Sequence, residues 1–258
     1  YDRAAEAILT TDHSAKVATR SIELGGKPVR IAAMAKGAGM IAPNMATMLA
    51  VIVTDADLQP EQSQRLLQGI AEESFNRVSV DGHTSTNDTL LMLSSGASGV
   101  KIDDACEAEF VAAATEIARQ LAQMLVADGE GATHVMQIDV HGAANDQDAA
   151  FIARTVGASL LVKTAVTGGD PNWGRIVSAA GYAGPPIEPN QTSLSIQGTN
   201  IYQDGAPTQY DEKSLSEKMK SAAVVEMRLV VGSGKGQATH WASDLTVEYV
   251  RFNSEYTT

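Results

Sequence analysis

Residues 39–49 read GMIAPNMATML and set a threonine, Thr47, directly behind a small residue, Ala46. A Gly- and Pro-punctuated stretch, KGAGMIAPNMA (36–46), precedes this step. TMLAVIVTDA (47–56), apolar and rich in β-branched residues, follows it and reads as a buried strand. A threonine hydroxyl holds its proton tightly and is a poor nucleophile by itself. At the first position of a chain it gains a base, its own α-amine. The reference pKa of an α-amine, roughly 7.7–8.0, suits proton transfer near neutral pH. Such a residue has to be exposed by cleavage after folding, and a small residue before it on a loop entering a buried strand is a suitable setting. The hydroxyl attacks the preceding carbonyl, the peptide C–N bond breaks as the acyl group shifts to oxygen, and hydrolysis of the resulting ester leaves a free Thr amine. A threonine packed in a sheet fits the same residues, and spacing alone leaves both readings open.

Other reactive side chains offer less. His13, His83, His134, His141 and His240 show no metal-ligand spacing with a cysteine or with one another, so no metal is expected and all five read as non-catalytic. Cys106 lies on the clearest helical stretch and reads as packing. VGSGKGQ (231–237) is not a phosphate loop, because Lys235 is followed by glycine and no glycine stands five before Gly234. Asp170-Pro171-Asn172 is a strong turn signal, and Trp173 and Arg175 beside it read as structure near a site.

Several elements must position these residues. PVRIAAMAK (28–36) reads as a strand. Asp57 and Pro60 start a helix carrying Leu66, Leu67, Ile70 and Phe75. A polar loop, RVSVDGHTSTND, follows, and Asn87 and Asp88 read as caps of a helix starting at Thr89. Phe110, Ala114, Ile117, Leu121 and Leu125 recur at helical spacing up to Asp128-Gly129. Residues 135–141 alternate as a strand, and 148–166 read as one helix ending near Gly168-Gly169. SLSIQGTNIYQDG suggests a hairpin with a Gln-Asp-Gly turn, residues 212–220 a short helix, and VVEMRLVVG and DLTVEYVRF two more strands. The class is mixed α/β, and the late run of strands argues against a simple doubly wound fold.

The 258 residues suffice for one large domain or two lobes with a core, and 44% hydrophobic content fits a globular protein. A net charge of -12 argues against nucleic acid or an anionic membrane as the main partner. No apolar run approaches the ~18 residues of a membrane span. One cysteine excludes an internal disulfide and fits a reducing cytoplasm, where the protein is expected.

KGAGMIAPNMATML (36–49) resembles the self-cleavage motif of the ornithine acetyltransferase family, also called bifunctional glutamate N-acetyltransferase. AAEAILTTD (4–12), SFNRVSVDGHTSTNDTLLMLSSGA (74–97), VADGEGATH (126–134), KTAVTGGDPNWGRI (163–176) and YVRFNSEYTT (249–258) look like further blocks of that family, in its order. The resemblance implies a layered αββα-type sandwich with mixed sheets, of the kind found in self-processing aminopeptidases. It implies a precursor cut at Ala46–Thr47, with residues 1–46 the end of an α chain whose earlier part is missing here and 47–258 a β chain opening on the nucleophile. The two chains would stay together and pair into a heterotetramer. The activity implied is acetyl transfer from N-acetylornithine to glutamate in arginine biosynthesis, with no cofactor. In some members acetyl-CoA is also a donor. Carried over residue by residue, Thr10, Lys36, Thr47, Glu130, Asn253 and Thr258 match substrate-binding positions. Lys36 would pair with a substrate carboxylate, and Glu130 would face the amine of ornithine. Thr11 beside Thr10 leaves that match uncertain by one position. A Thr-Gly pair implied to form the oxyanion hole lies in the earlier part of the family precursor and has no equivalent here. A self-processing aminopeptidase of the same architecture and a non-enzymatic relative are the alternatives.

Overall fold

The computed structural model describes residues 2–39, 41, 48–83 and 87–255. Ala46, Thr47 and Thr258 lie outside them. The chain forms two compact units, one built from the residues up to Val78 together with Gly82–Gly129, the other from Ser79–Asp81 and the residues from Glu130 onward. Each is a mixed sheet carrying helices, in keeping with a layered α/β class.

In the first unit, α1 (Asp2–Ala7) leads into β1 (Lys16–Leu24), β2 (Lys27–Lys36) and β3 (Leu49–Thr54). Gly25 and Gly26, both at positive φ, make the two-residue turn of the β1–β2 hairpin. Gly25-Gly26 is a hairpin signal, and β1 is a strand beyond those expected from the sequence. After α2 (Pro60–Glu72) and a short strand β4 (Val78–Ser79), β5 (Thr89–Ser94) joins the sheet in the order β1-β2-β3-β5. β3 and β5 run parallel, which requires a crossover, and α2 lies on it. α3 (Glu107–Ala127) packs on β1 and β2. Its Phe110, Ala114, Ile117, Leu121 and Leu125 are buried, as are Val29, Ile31, Ala33 and Ala35 of β2 at period two.

Two expectations fail in this unit. Thr89 opens a strand, not a helix: TLLML is too short for its periodicity to decide, and six register pairs with β3 settle it. Phe75 lies beyond α2, in a 3-10 turn at Phe75–Arg77.

The second unit contains β6 (Val135–Ala143), α4 (Asp146–Ala158), α5 (Leu160–Gly168), α6 (Trp173–Gly181), β7 (Ser193–Ile196), β8 (Thr199–Gln203), β9 (Ala206–Pro207), α7 (Glu212–Ser221), β10 (Val224–Val230), β11 (Gly236–Ser243) and α8 (Val247–Glu255). Its sheet runs β4-β11-β6-β10-β7-β8-β9, with β6 and β10 parallel. α4 lies against β6 and β11, and its Ile152 and Val156 share a core with Met136, Ile138 and Val140.

Here the expected helix at 148–166 is two helices, bent by 60°. Ser159 takes extended backbone between them and caps α5 through Val162 N–H, ending an apolar periodicity that runs on unbroken in the sequence. The hairpin turns at Gln197-Gly198, and Gln203-Asp204-Gly205 makes a second turn into β9. DLTVEYVRF is not a strand: its β-branched and aromatic Val247, Tyr249, Val250 and Phe252 suggest one, but Thr246 caps the N–H of Tyr249 at 3.2 Å and α8 begins at Val247. The late strand is β11, at 236–243. Asn172 accepts Arg175 N–H at 3.1 Å and starts α6, and Trp173 stacks on Tyr202 with ring centroids 4.9 Å apart. The Asp-Pro-Asn signal is therefore a helix start, and Trp173 helps hold the core.

Candidate active site

One end of the first sheet carries Lys36 and, through Asp12, the turn of Thr10. β2 ends there while β1, β3 and β5 begin there: Lys16 pairs with Ala35, Lys36 with Leu49, and Leu49 with Thr89. Lys36, the last residue of β2, is half-buried and stands across from the residue two beyond Thr47.

Thr10, in the exposed turn after α1, is tied to this end through Asp12. The Oδ2 of Asp12 accepts the Thr10 N–H at 3.3 Å, and its Oδ1 accepts the N–H of Gly37, the neighbour of Lys36, at 2.6 Å. Oδ1 also takes Lys16 Nζ at 2.7 Å. Lys16 is 1% exposed, and its ammonium donates as well to Asp128 Oδ2 at 2.5 Å and to the Ser14 carbonyl at 3.2 Å. Asp128 follows the last turn of α3 and accepts the N–H groups of His13 and Ser14. One buried lysine between two carboxylates thus fixes the loop of Thr10 to the end of β2. Burial pushes the Asp12 carboxyl up, but the bonds from Lys16, Gly37 and Thr10 outweigh it and hold the group below its ordinary range. None of Asp12, Lys16 and Asp128 was singled out from the sequence. Only the Asp12–Lys16 spacing of four hinted at a pair, and Asp128 stands 112 residues from Lys16.

The second unit brings Glu130 and Asn253 together. Asn253 Nδ2 donates to Glu130 Oε2 at 3.4 Å and to the Tyr249 carbonyl one turn back at 3.1 Å. The Glu130 loop is held from two sides. Thr246 Oγ1 donates to the Gly131 carbonyl at 2.6 Å, and Asp244 accepts the N–H groups of Thr133 and His134 at 2.8 and 3.1 Å. Gly131 sits at φ 67°, and a Cβ there would collide with the backbone of Tyr249. Only glycine lets α8 come this close to the Glu130 loop. The Asp244 carboxyl also takes Thr133 Oγ1 at 2.6 Å and Thr167 Oγ1 at 3.0 Å, and His134 Nδ1 lies 3.1 Å from it. Burial raises its pKa, and these hydrogen bonds more than reverse the effect. His134 is therefore a clamp on this loop.

Lys163 is the second buried lysine, 4% exposed. Its Nζ donates to the carbonyls of Val80 at 2.8 Å and Ser243 at 2.5 Å. Burial pulls its pKa down to about 8 against the opposing charges of Asp244 and Asp81. Cys106 precedes α3, its thiol directed at the Asp103 and Lys101 carbonyls. Among the described residues no group of three or more His, Cys, Asp and Glu side chains could hold a metal ion, and no single helix is long and apolar enough to cross a membrane.

The profile of the ArgJ family matches residues 2–258. The arginine biosynthesis bifunctional protein ArgJ of Rhodopirellula baltica is 56% identical over 98% of the chain, and the glutamate N-acetyltransferase of Methanocaldococcus jannaschii is 46% identical over 99%. The chain spans 63% and 65% of the lengths of these two relatives. A crystal structure of the arginine biosynthesis bifunctional protein ArgJ from Bacillus halodurans superposes with a TM-score of 0.78 at 36% identity, over 80% of this chain and 98% of that one. The chain belongs to the ArgJ family.

Proposed function

We propose that the protein cuts itself between Ala46 and Thr47 and then carries an acetyl group from N-acetylornithine to glutamate on the Thr47 hydroxyl, a step of arginine biosynthesis. Family membership over residues 2–258 supports the activity. The observation that carries the site is the register opposite Lys36, which pairs with Leu49 at the head of β3, two residues beyond Thr47. A cation is thereby held beside the start of the strand that Thr47 would lead.

In this scheme Thr47 Oγ attacks the acetyl carbonyl of N-acetylornithine, and the Thr47 α-amine takes the hydroxyl proton. The carbon–nitrogen bond breaks, the proton passes to the departing ornithine amine, and an acetyl ester remains on Thr47. Glutamate enters the same pocket and reverses the steps through its own amine. Lys36 holds the carboxylate common to both amino acids, and Thr10, Asn253 and Thr258 are the further substrate-binding positions that the family resemblance assigns. Glu130 favours the second amine of ornithine. The scheme needs no cofactor, and acetyl-CoA as a second donor would enter at the same acetyl-Thr47 step.

Cutting at Ala46–Thr47 falls between β2 and β3, which share six register pairs from Ile31↔Thr54 to Lys36↔Leu49. The two pieces would stay joined by this ladder, which supports a stable two-chain product; its pairing into a heterotetramer is what the family resemblance implies.

Initial rates of the full-length protein, with both substrates varied, test the scheme. Parallel double-reciprocal lines are expected. Converging lines would contradict a covalent carrier, and acetate released without glutamate would favour the hydrolase alternative.

A further inference from the structure

We infer that Asp88 is the positioning residue of the nucleophile, acting through the peptide bond that joins Thr47 to Met48. The inference rests on the assignment of Thr47 proposed above. The nitrogen of Met48 belongs to that bond, and its N–H donates to Asp88 Oδ1 at 2.9 Å. The carbonyl of the same residue accepts the N–H of Thr89 at 3.0 Å. Asp88 and Thr89 therefore grip Met48 from both sides, immediately ahead of the Leu49↔Thr89 pair that opens the β3–β5 ladder.

The need for this grip is local. The β2–β3 ladder ends at Lys36↔Leu49, so Met48 lies one residue beyond regular pairing on that side. Met48 is 4% exposed, and its amide cannot be left to water at no cost. A carboxylate supplies the missing acceptor with a charge-assisted bond, stronger than a neutral one. The residue types of Asn87-Asp88 suggest a helix cap; Asp88 instead accepts the N–H of Met48, the residue just ahead of β3 and forty residues away. A nucleophile that leads this strand inherits its position from the first fixed peptide, and a displacement of about 1 Å at a reacting group costs roughly 100-fold in rate.

The test compares Asp88→Ala, which removes the acceptor, with Asp88→Asn, which keeps an oxygen in its place, in the full-length protein. Self-cleavage is followed by gel, and kcat and KM for N-acetylornithine are measured on the cleaved fraction. D88A is expected to slow cleavage and lower kcat by roughly 100-fold with KM within about threefold, and D88N to recover at least a tenth of the wild-type kcat. Wild-type cleavage and kcat in D88A, a change confined to KM, or no recovery in D88N would each overturn the role. If D88A does not fold, amide exchange in D88N decides. Faster exchange at Met48 with Val51 unchanged is expected, and unchanged exchange at Met48 overturns the role. Thr47→Ala run alongside separates the two assignments. A T47A protein that still cleaves and transfers acetyl removes the nucleophile and this inference together. An inactive T47A beside a fully active D88A removes Asp88 alone.

Discussion

Lys36 and Glu130 carry opposite charges and are assigned opposite tasks, so their variants should fail differently. Lys36→Met is expected to raise KM for both N-acetylornithine and glutamate by roughly 10- to 150-fold, the equivalent of losing a charged hydrogen bond of about 1.5–3 kcal/mol. Glu130→Gln should raise KM for N-acetylornithine while leaving that for glutamate near its original value, because only ornithine carries the second amine. Steady-state kinetics with each substrate varied in turn distinguish the patterns, and an equal effect of E130Q on both substrates would remove its assigned role. These residues were legible because each sits in a stretch of consecutive residues, KGAGMIAPNMATML or VADGEGATH, that can be compared as a word. Asp12, Lys16 and Asp128 were not: their meaning arises only when the turn after α1, the start of β1 and the end of α3 meet.

At the scale of elements, two buried lysines make testable joints. Lys16→Met would leave Asp12 and Asp128 without their counter-charge, and loss of one partner from a buried ion pair costs about 3–5 kcal/mol. Urea unfolding at pH 7 should show it. Asp12 has its pKa lowered in the folded state, so the stability it contributes is present above about pH 3.8 and is lost as the pH falls through its depressed folded-state value. The gap between wild type and K16M should therefore narrow in acid. Lys163 behaves in the other direction. Its folded-state pKa of about 8 lies below the ordinary 10.5, so between these values the unfolded chain binds more protons and stability rises with pH. Relative to Lys163→Met, wild type should gain up to about 3 kcal/mol from pH 8 to pH 10.5, read from paired urea curves. A constant difference would show that burial does not shift this lysine. The same scale explains the misread elements. Short runs such as TLLML and DLTVEYVRF have no decisive period, and partners distant in sequence, β3 for the one and the Gly131 loop for the other, choose their state. Periodic segments such as α3 and β6 were legible, with their C-terminal ends within two residues.

For the whole molecule, the compact units and the proposed chains divide the sequence differently. The units exchange at Val78–Ser79, Asp81–Gly82 and Gly129–Glu130, whereas the proposed cut falls inside the first unit, between two adjacent strands. Cleavage would thus free an amine without releasing a domain, and the two pieces should separate only on unfolding. The mixed α/β class was readable from the order of elements, and the family from six blocks spread along the chain. The order of strands in the two sheets was not, because register joins residues such as Lys36, Leu49 and Thr89 that sequence keeps apart. The most direct measurement is the intact mass of the denatured full-length protein before and after mixing with N-acetylornithine. Two pieces divided at Ala46–Thr47, with one acetyl mass gained on the piece led by Thr47, are predicted. A single uncut chain that gains nothing would contradict Thr47 as the nucleophile.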